Sequence, residues 1–259
     1  MARSPKDPFL SGVDDKRVDA LARRVISALR NRPPRELRDR IRDATDWLVE
    51  TVLSKDIFIA EDARAELMSR NLLPADIMDH CIADAARELG ERWTKDVATF
   101  SQVSLGSARL HGLCKHFAVD WEPSRNLRPN GSVLIAVCDR EDHLIGPVIL
   151  ADQLRRAGYS VHLMVRATPE KLLSKLTSEP FSTVLISCSG LGSLTDAASA
   201  VKLVRRKLSK VPRLVLGGPV LDHAEDLLET TGVDLVTNSI AAAVAVPDDF
   251  PQSAAVADK

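Results

Sequence analysis

The chain has 259 residues, 45% of them hydrophobic and 27% charged, with 35 Lys and Arg against 36 Asp and Glu. This composition suits a globular protein of one large or two ordinary domains, and a net charge of −1 gives no electrostatic basis for direct DNA contact. No apolar run approaches the roughly 20 residues that span a bilayer, and Met1 to Pro8 lacks the apolar core of a signal peptide, so a cytoplasmic chain with no membrane partner is expected.

Residues 1–15 are polar and read as a disordered tail. From residue 16 to 118 apolar residues recur every three or four positions, which predicts a bundle of four or five helices. The first runs over Lys16–Arg30, and Pro33-Pro34 separates it from the second. The second has Leu37, Ile41, Ala44, Leu48 and Val52 on one face, and the third covers Ala60–Asn71. Leu73-Pro74-Ala75-Asp76 opens the fourth, which aligns Ile77, Cys81, Ala85, Leu89 and Trp93. The fifth aligns Phe100, Val103, Ser107, Leu110, Cys114 and Phe117.

Residues 119–131 hold two prolines and a glycine and read as a linker. Strand and helix then alternate over residues 132–246. The strands are expected at 132–138, 160–165, 182–187, 213–216 and 234–237. Helices are expected at 146–157, 168–176, 194–208, 221–231 and 239–245. Such alternation predicts a flavodoxin-like, doubly wound, five-stranded parallel sheet, an α/β domain following the α bundle. Residues 247–259 read as a second disordered tail. The four cysteines show no CxxC spacing and sit in apolar surroundings, so they are expected to be buried free thiols.

In a doubly wound sheet the loops that follow the strands carry the ligand site. Four of these loops have unusual content. The first holds Glu141, His143 and Gly146. The third begins Ser187-Cys188-Ser189-Gly190. The fourth is Gly217-Gly218-Pro219, and the fifth is Thr237-Asn238-Ser239. A neutral imidazole ligates soft and borderline metals. A carboxylate two residues away can take the hydrogen bond from its other nitrogen and so fix the ring. Glycines and small hydroxyl residues let a ligand approach the backbone. A single histidine makes a poor metal site unless the metal arrives in a macrocycle, which directs attention to corrinoids and haem.

The pattern acidic-x-His-x-x-Gly, a Ser motif about forty residues on, and then Gly-Gly resembles the cobalamin-binding domain of methionine synthase, mutases and B12 photoreceptors. The resemblance implies His143 as lower axial ligand to cobalt and Glu141 as the acceptor behind it. It also implies a slot for the nucleotide tail, lined by Gly146, Ser187 or Ser189, Gly217, Gly218 and Thr237. The family has Asp where this chain has Glu141. Its Ser-x-Leu matches Ser189-Gly190-Leu191 literally, while Ser187 occupies the expected place at the strand end and is slightly favoured. The upstream segment Ala85 to Asp96 resembles the helical cap of such proteins, with Trp93 over the upper face of the corrin.

The continuation Phe100 to Leu110 resembles the AerR/PpaA family of photosynthesis-gene antirepressors. That likeness implies a cobalamin-binding, light-responsive regulator, with adenosylcobalamin or hydroxocobalamin as cofactor. It implies a transcription repressor of the CrtJ/PpsR type as partner, and no catalytic activity of its own. Photoreceptors of the CarH type carry a Glu-His pair beyond the cap tryptophan, where this chain has Val103 and Ser104; His111 and His116 are the nearest histidines downstream. The alternatives are a corrinoid carrier for methyl transfer and a haem-binding redox sensor.

Overall fold

The computed structural model of the protein describes residues 34–117 and 130–245. The helix expected over 16–30, both tails and residues 119–129 of the expected linker lie outside them. Among the described residues no helix is long and apolar enough to cross a membrane.

Among the described residues four helices form the N-terminal bundle. Helix α1 (Arg35–Leu53) buries Ile41, Ala44, Leu48 and Val52, the residues its spacing predicts, together with Thr45 and Val49. Thr45 satisfies its buried hydroxyl by donating to the Ile41 carbonyl at 2.8 Å. Helix α2 (Ala60–Ser69) buries Ala63 and Leu67. Helix α3 starts as Pro74–Asp76, widens to a π-helix over Ile77–Ile82 and finishes as an α-helix over Ala83–Thr94. The wider turn lets two adjacent pairs, Ile77-Met78 and Cys81-Ile82, all enter the core. Helix α4 (Phe100–Phe117) buries Leu110, Leu113, Cys114 and Phe117. Its Arg109 collects the carbonyls of Val52, Ser54 and Asp56 and so fixes the loop that leaves α1.

Two side chains expected on the apolar faces of this bundle leave the core. Trp93 is 50% exposed and Phe100 is 71% exposed. Both sit where α3 turns into α4, and their ring centroids are 6.4 Å apart.

The C-terminal part is a five-stranded, all-parallel sheet of order β2-β1-β3-β4-β5. The strands are β1 (Ser132–Cys138), β2 (Ser160–Ala167), β3 (Thr183–Ser187), β4 (Arg213–Gly217) and β5 (Leu235–Val236). They alternate with α5 (Ile145–Arg156), α6 (Pro169–Ser178), α7 (Leu191–Lys207), α8 (Leu227–Thr231) and α9 (Ile240–Val244). β1 is buried from Val133 to Cys138, the continuous apolar run of a strand covered on both faces. Leu134, Ala136, Val184, Ile186, Leu214 and Leu216 face α6 and α7. Val133, Ile135, Leu185 and Val215 face α5 and α9.

One helix differs from the expected length. The helix predicted over 221–231 splits into a 3₁₀ turn, Pro219–Asp222, and α8. Asp226 stands between them at φ +52° and cannot continue a helix.

Helix α5 belongs to both parts of the molecule. Ala151 and Leu154 pack on the sheet. Ile149 is buried in the bundle core, with Ile145 and Val148 against the same cluster. Arg156 near its C-terminus bonds Asp152 and reaches across to Asp79 on α3. We predict that Ile149→Ala destabilises the protein by about 2–4 kcal/mol, through a cavity between bundle and sheet. Urea unfolding of wild type and variant, followed by circular dichroism, checks this.

Candidate cofactor site

The chain runs from β1 outward to β2 on one side and to β3 on the other, so the sheet's switch point lies between β1 and β3. The crevice at the C-terminal ends of those strands is where such sheets bind ligands. The loop after β1 brings Glu141 and His143 there, and the loop after β3 brings Ser189.

Glu141 is the centre of this arrangement. It is 2% exposed. Its Oε1 accepts the His143 backbone amide at 2.9 Å, lies 2.7 Å from His143 Nδ1, and accepts the Ser189 hydroxyl at 2.8 Å. Its Oε2 accepts the Ser189 amide at 2.6 Å. Burial opposes ionisation of this carboxyl, but the four hydrogen bonds outweigh it and lower its pKa to about 2. An ionised carboxylate only accepts, so Nδ1 carries the hydrogen. The neutral ring then keeps a lone pair on Nε2, and the side chain is 75% exposed. The bond to Glu141 also raises the pKa of His143.

The two candidate serines divide the work. Ser189 anchors Glu141. Ser187 pairs in register with Val137 on one side and Gly217 on the other. It is half-buried and its hydroxyl takes no part in the Glu141 network.

The fourth loop packs hard on the third. Gly218 has φ +113°, and a Cβ there would overlap the Cys188 carbonyl oxygen. A Cβ on Gly217 would lie 3.0 Å from the Thr237 carbonyl oxygen. Thr237 uses its hydroxyl locally, accepting the Ser239 amide at 3.0 Å. The bridge from the fifth loop comes instead from Asn238, whose Oδ1 accepts the Gly218 amide at 2.7 Å and whose Nδ2 donates to the Gly218 carbonyl at 3.3 Å. Asn238 was not singled out from sequence. An Asn just past the last strand, together with Gly-Gly after the fourth, is the sequence signal by which it could be found.

Gly146, the second residue of α5, is exposed, and a Cβ there would meet nothing within 4 Å. The protein's own packing therefore does not demand glycine at this position. The structure thus joins Glu141, His143 and Ser189 directly. It joins Gly217, Gly218 and Thr237 around Cys188 and Asn238. Trp93 it pairs with Phe100, in a bundle cluster that also exposes Val97 and Leu105.

Cys138 and Cys188 lie on the floor of this crevice. The Cys138 carbonyl accepts the Glu141 amide at 3.1 Å. All four cysteines are free and buried. Desolvation raises Cys81 to about 11 and Cys114 to about 12, so both are neutral thiols. Among the described residues no three His, Cys, Asp or Glu side chains converge on a metal position.

Residues 131–245 match the family model described as B12 binding domain. These residues are a B12-binding domain. A protein of Rhodobacter capsulatus, described as an uncharacterized 20.5 kDa protein in the bchF-crtJ intergenic region, is 29% identical over 169 residues, 64% of this chain and 86% of its own length. The structure of the Methanosarcina barkeri monomethylamine corrinoid protein matches with TM-score 0.64 at 15% identity, over 78% of this chain and 95% of that one. That share exceeds the B12-binding domain, so the shared fold takes in the helical bundle as well.

The residues present fit a corrinoid. The donor is one oriented, exposed imidazole, which suits a metal whose equatorial positions are already filled. Gly217 and Gly218 keep the loop ends free of side chains beside Ser187. We predict that Glu141→Gln lowers stability at neutral pH by about 2–3 kcal/mol, since charge-assisted bonds are lost from a buried site. The folded carboxyl titrates near 2 and the unfolded one near 4.5, so its contribution is present above pH 4.5 and lost as pH falls through 2. The gap between wild type and variant in urea unfolding should therefore narrow with acidification. Gly218→Ala should cost about 3 kcal/mol or more, because the backbone conformation is strained for alanine and its Cβ meets a carbonyl. Thermal unfolding measures it.

Proposed function

We propose that the protein is a cobalamin-binding, light-responsive regulator that acts on a transcription repressor, as an antirepressor of photosynthesis genes. The observation that carries the cofactor reading is the Ser189–Glu141–His143 relay, which buries one imidazole nitrogen's bond and leaves the other nitrogen free. The regulatory reading draws on the likeness to a protein encoded between bchF and crtJ, and a repressor of the CrtJ/PpsR type is the partner that this suggests.

In this reading Nε2 of His143 would hold the cobalt. Glu141 holds the ring in its tautomer and raises its basicity, and Ser189 holds Glu141. Ser187, Gly217 and Gly218 would line the slot for the nucleotide tail, and Trp93 with Phe100 would cover the cofactor from the bundle side. A bound cobalamin would supply a coloured metal centre able to exchange a ligand. The protein's response lies in α5, which starts two residues after His143 and is packed into the bundle. A change in how Trp93 and Phe100 pack is carried through the bundle to the surface a repressor meets, as a shift between two arrangements that the cofactor stabilises unequally.

The test is to load the protein with hydroxocobalamin or adenosylcobalamin in the dark and record absorption before and after illumination, with haemin as the comparison. Retained corrinoid with a light-dependent spectrum is expected. Failure to retain corrinoid sinks the reading, and a spectrum indifferent to light sinks its photochemical half. His143→Ala should keep the protein folded and lose the imidazole-ligated spectrum. Because a proton competes with cobalt for Nε2, acidification should release the imidazole, from a higher pH than an ordinary histidine's value near 6.5 would set.

A corrinoid carrier for methyl transfer is the second reading. It is favoured by a fold shared across both bundle and sheet with a corrinoid protein. Methyl transfer to or from partner enzymes would select it over the regulator.

A further inference from the structure

The loop that carries His143 is tied down from both sides, and one of the ties is built into a defect of the sheet. β2 follows β1 in register from Ser132↔Ser160 to Ala136↔Met164, and then jumps to Cys138↔Ala167. Val165 and Arg166 thus stand opposite the single residue Val137, which is a β-bulge. Arg166 takes φ +53° in that bulge, a left-handed conformation uncommon for any residue but glycine and the asparagine group. The extra residue changes the direction in which the strand end points its side chains.

The redirected guanidinium meets the ligand loop. Its Nη1 donates to the Asp139 carbonyl at 3.1 Å, and Nη2 lies 3.4 Å from Asp142 Oδ1. On the opposite side of the same loop, Arg140 makes a two-pronged pair with Asp196 on α7, at 3.0 and 2.6 Å. Between these ties lies the buried Glu141, and the next residue after Asp142 is His143. A bulge at an edge strand could serve only to blunt that edge against pairing. That role would be met by any bulged residue, with no need for a long cation in a conformation that arginine adopts at a cost.

We propose that Arg166 is a positioning residue for the cobalt ligand: through Asp139 and Asp142 it fixes the loop that aims His143. The inference rests on the corrinoid reading above. Arg166 does not touch the site; it narrows the directions open to the imidazole.

The test uses Arg166→Asn, which keeps a residue tolerant of positive φ and removes the guanidinium. Hydrogen exchange of the cofactor-free protein reads the loop, and the electron paramagnetic resonance of the Co(II) corrinoid complex reads nitrogen ligation to cobalt. We expect faster amide exchange in residues 139–143, an unchanged thermal midpoint, and imidazole ligation weakened roughly 10-fold with the corrinoid still held. Wild-type exchange together with wild-type ligation in the variant overturns the proposal. Should Arg166→Asn lower the melting temperature, Arg166→Gly, which relaxes the backbone, takes its place. A stability loss in both variants makes the residue merely structural and overturns the positioning role. If the wild-type protein itself shows no imidazole ligation, the corrinoid reading fails, while the exchange data still decide whether Arg166 holds the loop.

Discussion

A buried carboxylate must be paired, and here the pairing organises the site. Glu141 takes four hydrogen bonds from two residues, His143 and Ser189, that come from loops on either side of the switch point. An unpaired charge in that position would cost several kcal/mol. The loops after β1 and β3 are therefore locked to each other by an electrostatic requirement. His143 inherits its ring orientation from that lock, and the longer arm of Glu in place of Asp still reaches both partners.

The remaining architecture serves to bring those loops together. The buried β1 and its neighbour β3 end side by side, and Cys138, the last residue of β1, takes the Glu141 amide on its carbonyl, while Cys188 follows directly on β3. The Gly217-Gly218 turn closes against Cys188 because neither position carries a side chain, and Asn238 fastens it from the fifth loop. Each of these contacts has a backbone group of Cys188 or Gly218 as one partner, so strand register decides where the turn sits.

Much of this is legible in the sequence. A short apolar run such as Val133 to Cys138, preceded by Asn130-Gly131, reads as a strand buried on both faces, and the strand–helix alternation after it points to a parallel sheet. Glu141, His143 and Gly217-Gly218 stand out because they fall together on loops that follow strands, where a doubly wound sheet binds its ligand. Other features depend on three-dimensional register, which local patterns do not encode. Ser187 ends β3 and Ser189 follows two residues on, and which of them meets Glu141 depends on where β3 stops pairing. Trp93 and Phe100 fit apolar helix faces by spacing, yet they lie at the turn where the bundle ends, beyond the reach of its core. The π-helical turn over Ile77–Ile82 and the bulge at Arg166 each add a residue to a regular element, and a periodic reading has no means to see an insertion it is free to average over.

Helix α5 has a consequence for the energetics of the whole chain. Its first turn adjoins His143, its Ile149 belongs to the bundle core, and its Leu154 belongs to the sheet. Binding at the crevice and docking of the bundle therefore share one rigid body, and thermodynamic linkage makes their coupling reciprocal. Any ligand of the crevice that shifted the bundle would, by the same free energy, respond to anything that bound the bundle. A partner can in this way tune the affinity of the crevice without approaching it.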